Sequence, residues 1–345
     1  MKNKKIVLLV ICFLFVGMIT IACSNQKGDS MRNGYDYLVL VNKYSKLPDD
    51  WEKKVQLVDA KNAWNEDIKI EKEAYDNYKK LKESLKKDGV TIELDSVYRS
   101  VKEQQKLWDD WSADPEKGIE YVRKYVAVPG YSEHHTGLAV DICLKKNGKL
   151  VYENDDMIAD KETFKKIHAK IADYGFILRY LDGRDDVTGY AYEPWHLRYV
   201  GSKKIANEIM DKNITFEEYL ESIEDVKGTP AAAKYQIEKT LQEHFKDVYG
   251  KKIENSRFNV KKVYSEKEAN SDNNIKSLKL GDKDIAFEVD YQLLPAEGVD
   301  PNELMVVDGE YNEDLGWVTS ISRVGILRYN SKNGSYSISN FGTGW

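Results

Sequence analysis

The heptapeptide Leu138-Ala-Val-Asp141-Ile-Cys-Leu144 constrains this chain more than any other stretch. It is apolar except for one carboxylate. A run this short and this apolar reads as a buried strand. An ionised acid buried there is costly unless hydrogen-bond donors or a cation compensate it. Strand alternation puts Ala139, Asp141 and Cys143 on one face, and Leu138 and Val140 on the other. Gly137 permits a tight bend just before the strand, which can return His134 towards Asp141. Taken alone, the stretch also fits a polar loop with an exposed acid.

The rest of the chain has to supply the compensating groups. Its 345 residues are too many for one compact core, so two folded units are expected. The net charge of −6 gives no basis for nucleic acid as a partner. Lys2, Lys4 and Lys5 precede an apolar run from Ile6 to Ala22, in the pattern of a secretory signal. The run ends Thr20-Ile21-Ala22-Cys23, which resembles the lipobox of bacterial lipoproteins, with Thr20 where leucine is usual. On that reading Cys23 carries the lipid, residues 1–23 are the signal and 24–36 a polar tether. An uncleaved anchor is the alternative. In either case the body lies outside the membrane, on the extracellular side. Cys12 and Cys23 then leave Cys143 alone in the mature body. No internal disulfide is possible, and Cys143 reads as a small buried hydrophobe.

Periodicity predicts a helix over 71–88 and a strand from Thr91 to Tyr98. A capping box, Ser100 with Glu103, starts a helix there. Asp114-Pro115 begins another, running to about Val126. A further helix starts near Lys161, a strand covers Phe176–Tyr180, and Gly189 to Tyr199 is aromatic and strand-like. Thr215 to Glu218 caps a last helix before a boundary at Lys227-Gly-Thr-Pro230. Helices and strands mix without a βαβ repeat, which implies an α+β fold on a small antiparallel sheet with flanking helices over 37–226. Residues 227–345 read as a smaller α+β unit: one helix from Pro230 to Tyr249, then strands, with an Asn333-Gly334 hairpin.

A second stretch, Glu193-Pro194-Trp195-His196, answers the first. Glu193 and His196 differ in strand parity, and Pro194 argues for a turn that aims both at one point. An aromatic core strand with an incidental histidine is the bland alternative. Together the two stretches offer two imidazoles and two carboxylates. A catalytic zinc site takes three protein ligands and leaves one position open. His134, Asp141 and His196 fill the ligand roles, and Glu193 is left as general base. Of the other histidines, His168 lies in a helix and His244 in the second unit. His135 would point elsewhere from an extended backbone and is a supporting candidate only.

These residues carry a family resemblance. Ser132-x-His134-x-x-Gly137-x-Ala139-x-Asp141 and Glu193-Pro194-Trp195-His196 resemble the signatures of zinc D-Ala-D-Ala carboxypeptidases and dipeptidases. Tyr98-Arg99-Ser100 with Gln104 matches a third signature. Leu40-Val41-Asn42-Lys43 and Leu47-Pro48 look like the leading segment of the VanY-type branch, which includes L,D-carboxypeptidases. The resemblance spans roughly 37–222. It implies the zinc D,D-peptidase (hedgehog-like) fold, a peptidoglycan stem peptide as substrate, and His134 rather than His135 as ligand. It also implies that Arg99 meets the scissile carbonyl or the peptide; beside the metal, a guanidinium would stabilise negative charge developing on the carbonyl oxygen. Ser132, Gln104 and Tyr180 match substrate-contacting positions. The expected reaction is removal of a C-terminal D-alanine from stem peptides. L,D cleavage of tetrapeptide stems, an endopeptidase and a catalytically silent wall-binding protein are the alternatives, and retention of Glu193 and Arg99 argues against the last.

Overall fold

The computed structural model describes residues 31–32, 35–114, 122, 126–304, 309–313 and 316–343. The expected signal, Cys23 and most of the expected tether fall outside these residues, as does most of the helix expected from Pro115.

The sheet of the first unit is antiparallel and organised around one strand. Ile92–Leu94 (β3), Ala139–Lys146 (β4), His196–Tyr199 (β7) and Phe176–Leu178 (β6) lie side by side in the order β3-β4-β7-β6. A short strand, Lys149–Val151 (β5), folds back on β4. The strand read from Leu138–Leu144 is therefore central, paired on both edges, and Val140, Ile142, Cys143 and Leu144 are buried. Ahead of this sheet, Leu57–Lys61 (β1) and Asp67–Glu71 (β2) form a hairpin that was not foreseen. Its signal is weak: apolar residues alternate only at Val58/Ala60 and Ile68/Ile70, and the turn rests on Asn65 in the left-handed region.

Helices cover the sheet where their apolar stripes require it. Lys72–Lys87 (α1) buries Ala74, Tyr78, Leu81 and Leu85, at the helical spacing seen in the sequence. Lys161–Ile171 (α3) buries Phe164, Ile167 and Ile171 in the same core. Truncating a fully enclosed leucine such as Leu81 to alanine costs about 2–5 kcal/mol in such a core. Val101–Ser112 (α2) begins with the complete capping box of Ser100 and Glu103. Lys203–Lys212 (α4) was not anticipated, although Ser202 caps it and Ile205 and Ile209 sit one turn apart. Phe216–Glu221 (α5) carries the expected Thr215–Glu218 box.

Two expected strands are shorter than their patterns. The run Thr91–Tyr98 leaves the ladder after Leu94. Asp95 and Ser96 still bond to the backbone of Asp141, but the chain bends away so that Val97 reaches His134. In Gly189–Tyr199 only the last four residues are strand. Pro194 has no N–H to offer a ladder, and a turn closed by His196 N–H to Glu193 O at 3.1 Å precedes the strand.

The second unit is a five-stranded antiparallel sheet on one long helix. Beyond the single helix expected, two short helices, Glu266–Ser271 and Asn273–Ser277, pack Ala269 and Ile275 against Ala286 and Ile326. Ile253–Val263 (β8), Ile285–Pro295 (β9), Trp317–Asn330 (β11) and Glu310–Asn312 (β10) run in the order β8-β9-β11-β10, with Ser335–Thr343 (β12) also on β11. Pro230–Tyr249 (α6) buries Ile237, Leu241 and Phe245 against Phe258, Tyr291 and Leu293. Its first turn belongs elsewhere: Ala231 and Ala232 pack with Leu38, Ile205 and Phe216. The backbone also joins the units, because Phe258 exchanges hydrogen bonds with Tyr44 and Lys46 at 2.8 and 3.1 Å. Cys143 is buried and free, with burial pushing its thiol up to about 12.

Candidate metal centre

Asp141 and His196 are direct cross-strand partners on β4 and β7. Neighbours in register share a face, so both side chains project to the same point. His134 arrives from the 3-10 turn Glu133–Thr136, which ends at Gly137 in the left-handed region (φ 73°). A β-carbon on Gly137 would stand 3.1 Å from Leu57 and 3.3 Å from the Glu71 backbone, so both the backbone angle and the crowding favour glycine. The turn returns His134 Nε2 to 3.2 Å from Asp141 Oδ2, and His196 Nδ1 lies 3.0 Å from Asp141 Oδ1. One ligand atom from each of the three residues lies within 4.8 Å of the others.

Hydrogen bonds on the far side of each ring assign the tautomers. His134 Nδ1 lies 2.7 Å from the Val97 carbonyl, which only accepts, so Nδ1 carries the proton. His196 Nε2 donates to Glu133 Oε2 at 3.0 Å. His134 Nε2 and His196 Nδ1 are then the nitrogens that face Asp141. Burial lowers the His196 pKa, but the Asp141 and Glu133 carboxylates outweigh it and raise it to about 10, so that without a cation a proton bridges His196 Nδ1 and Asp141 Oδ1. A divalent cation can take that proton's place between the two rings and the buried carboxylate. Two neutral imidazoles and a carboxylate are the ligand chemistry of a catalytic zinc site. The residues fit the metal.

Glu133 is the functional residue that the sequence did not disclose. It is buried, and besides His196 it accepts from Arg179 Nε at 2.8 Å and Arg198 Nη1 at 2.6 Å. Burial raises its pKa, but Arg179 and Arg198 outweigh burial and hold it well below the usual carboxylate range. Arg179 continues to Glu217 through two bonds of 2.9 and 2.7 Å, and Glu217 accepts from Asn42. A chain of buried charges thus anchors the second imidazole. Such outer partners fix a metal ligand's tautomer and orientation. The available signal was two arginines, Arg179 and Arg198, each set among buried aromatic and aliphatic residues.

The remaining candidates fall around this centre. Glu193 is 3.6 Å from His196 Nδ1. Burial raises its carboxyl to about 7; His196 opposes the rise, while Asp141 and Glu133 add to it. The turn that carries it is held by His168 Nε2, 2.9 Å from the Pro194 carbonyl. Arg99 donates to Gln104 Oε1 at 2.9 Å and Ser96 Oγ at 3.0 Å. Its backbone is tied to the histidine turn: its N–H bonds the His134 carbonyl and its carbonyl accepts from His135 Nδ1 at 2.6 Å. His135 therefore braces Arg99 and stays out of the ligand set. Gln104, buried, also donates to the Ala127 carbonyl. The Tyr180 ring packs 4.7 Å from that of His196. Ser132 is buried one residue before Glu133.

A two-histidine, one-aspartate centre with a neighbouring near-neutral carboxylate and a guanidinium defines a metal-dependent hydrolase. The family model of VanY, D-alanyl-D-alanine carboxypeptidase, matches residues 67–202. The putative carboxypeptidase YodJ of Bacillus subtilis (strain 168) is 37 % identical over 202 residues, covering 57 % of this chain and 72 % of that protein. The bifunctional D-Ala-D-Ala dipeptidase and carboxypeptidase VanXYC of Enterococcus gallinarum is 41 % identical over 139 residues, or 39 % and 67 % of the two chains. Among solved structures, the LdcB LD-carboxypeptidase is 35 % identical, with a TM-score of 0.47 over 56 % of this chain and 93 % of that one. A VanY D,D-pentapeptidase in complex with Zn(II) is 28 % identical, with a TM-score of 0.44 over 53 % and 98 %. The chain belongs to the VanY family of D-alanyl-D-alanine carboxypeptidases.

Proposed function

We propose that this chain is a zinc D,D-carboxypeptidase that removes the C-terminal D-alanine from peptidoglycan stem peptides. We place it on the extracellular face of the bacterial membrane, held by lipid on Cys23. The observation that carries the enzymatic reading is the convergence of His134, Asp141 and His196, with Glu193 3.6 Å from the His196 nitrogen that faces Asp141. Zinc bound by His134, Asp141 and His196 would polarise the scissile carbonyl and lower the pKa of the attacking water.

The protein's own groups do the rest. Glu193, with a carboxyl near neutrality, takes a proton from the attacking water. The new C–O bond forms as negative charge builds on the carbonyl oxygen. The Arg99 guanidinium, fixed by Gln104 and Ser96, is preorganised to stabilise that charge. Glu193 then returns the proton to the amide nitrogen, the C–N bond breaks and D-alanine leaves. Glu133 and Tyr180 keep the His196 ring in place throughout.

The test is to incubate the zinc-loaded protein with purified pentapeptide and tetrapeptide stems and weigh the products. Loss of one alanine from the pentapeptide alone is the expected result. Loss from the tetrapeptide alone makes the enzyme an L,D-carboxypeptidase. Cleavage of neither, with zinc bound, refutes the enzymatic reading and leaves a wall-binding protein. For the anchor, the wild type expressed in cells fed a labelled fatty acid should take up label that Cys23→Ala loses. An unlabelled wild type, or equal label on the variant, would refute lipidation at Cys23.

A further inference from the structure

A cavity of about 560 Å³ lies at the junction of the two units, within the ~300–1,000 Å³ usual for pockets that take a small organic ligand. Its floor is the face of the C-terminal sheet opposite the α6 core. Arg257, Gln292 and Thr319 are direct cross-strand neighbours on β8, β9 and β11. Asn259 and Asp290 form the next pair on the same face. Trp317, two residues from Thr319, shares that face by strand alternation. The opposing wall comes from the catalytic unit: Trp108 on α2 and Tyr131 from the loop before Ser132.

This lining has a definite chemistry. Three aromatic rings line it: Trp108 is partly exposed, whereas Trp317 and Tyr131 are buried behind one guanidinium, with Arg257 4.1 Å from the Trp317 ring and 5.1 Å from the Tyr131 ring. Gln292, Asn259 and Thr319 supply mixed donors and acceptors. The charged groups are engaged within the protein. Lys46 pairs with Asp49 at 2.8 Å, Asp290 with Lys261 at 3.7 Å, and Arg257 is stacked against Trp317 and Tyr131. The complementary ligand is therefore uncharged, rich in hydroxyl and amide groups, and has an apolar ring face that can stack on the Trp108 indole.

We propose that this cavity binds N-acetylated sugar units of the glycan strand that bears the stem peptide. The proposal rests on the peptidoglycan reading of the catalytic centre. Its position suits a substrate that spans both sites. Trp108 lies one helical turn beyond Gln104, which holds Arg99, and Tyr131 directly precedes the Ser132–His134 turn. The C-terminal unit thereby becomes half of an extended substrate site, selecting stems still attached to glycan.

The test compares a sugar-free pentapeptide with the same peptide on its disaccharide, using the full chain. The wild type should show a KM on the glycan-bearing stem lower by about tenfold. Trp317→Ala and, from the opposite wall, Trp108→Ala should each abolish that advantage while leaving kcat/KM on the free pentapeptide unchanged. The second variant removes a half-exposed side chain and guards against misfolding of the first. A parallel titration with chitotetraose, followed by tryptophan fluorescence, reads the cavity without turnover. Saturable quenching lost in both variants supports the proposal. Equal KM for the two substrates with no quenching overturns it, as does quenching that survives both substitutions. If neither peptide is cleaved, the carboxypeptidase reading fails and the titration alone decides the saccharide site.

Discussion

Glu133→Gln is the most informative single substitution in this protein. The side chain keeps its size but loses its charge and one acceptor. In the wild type, Oε2 accepts the His196 Nε2 proton and Oε1 accepts from Arg179 and Arg198. A glutamine oxygen can satisfy one of these groups. Its amide nitrogen then faces a donor, whichever way it is turned. If it faces His196, the imidazole is driven to the other tautomer, with its proton on Nδ1, the atom needed for the metal. Loss of such an outer partner typically weakens metal affinity about 10–100-fold, or about 1.4–2.7 kcal/mol. Breaking a buried ion cluster also costs about 3–5 kcal/mol of folding stability. Arg198 suffers most, since its other partners are the carbonyls of Tyr37, Val39 and Tyr199, whereas Arg179 retains Glu217. The assay is competition for zinc against a chromophoric chelator, with urea unfolding in parallel. Excess zinc should restore most of the turnover. Unchanged zinc affinity would refute the tautomer argument, even if stability fell. Unchanged stability would refute the cluster argument.

Three further expectations follow from individual contacts. Glu193→Gln should retain zinc, measured by metal analysis after gel filtration, and lose about 10²–10⁴-fold in kcat; near-normal turnover would remove it as the base. Lys234→Met takes the ammonium from the Lys46 carbonyl at 2.6 Å and from Glu238, 3.8 Å away in a buried setting. It should cost about 3 kcal/mol in urea unfolding, and an unshifted midpoint would show that the junction does not depend on it. His168 has its pKa lowered by burial, against the opposing bond to Pro194. Folded protein then binds fewer protons than unfolded, so the stabilisation is present above the unfolded value near 6.5 and is lost as pH falls below it. His168→Gln keeps a donor without titrating. Its melting temperature should fall less than the wild type's between pH 7 and pH 5, and equal losses would contradict the assignment.

How much of the centre was legible depended on distance along the chain. His134 and Asp141 are seven residues apart, and Glu193 and His196 are three. Each pair sits in one local motif, so its spacing survives as a readable pattern. Glu133 meets Arg179 and Arg198 across 46 and 65 residues. Nothing local marks a glutamate between a serine and a histidine as the holder of a third residue's imidazole. Secondary structure followed the same rule. The amphipathic helices α1, α3 and α6 and the capped helices α2 and α5 were readable from their own residues. The hairpin β1–β2 was not, because its alternation is short and its turn rests on one left-handed asparagine. The strand patterns of 91–98 and 189–199 overran because apolar alternation cannot report where a ladder is abandoned for a turn. That choice was made by partners elsewhere, His134 for Val97 and His168 for Pro194.

By itself the sequence determined the chemistry on offer: two imidazoles, an acid inside a central strand, a second acid before a proline turn, and helices with their own caps. These properties reside in covalent order, where spacing and residue type suffice. Only the tertiary structure decided which nitrogen of each imidazole faces Asp141, that Glu133 enforces one of those choices, and that the C-terminal sheet lays its polar face against the catalytic unit. Those outcomes are set by contacts between distant segments. Buried charges and carbonyls must find partners wherever the fold provides them, and only the assembled fold determines where that is.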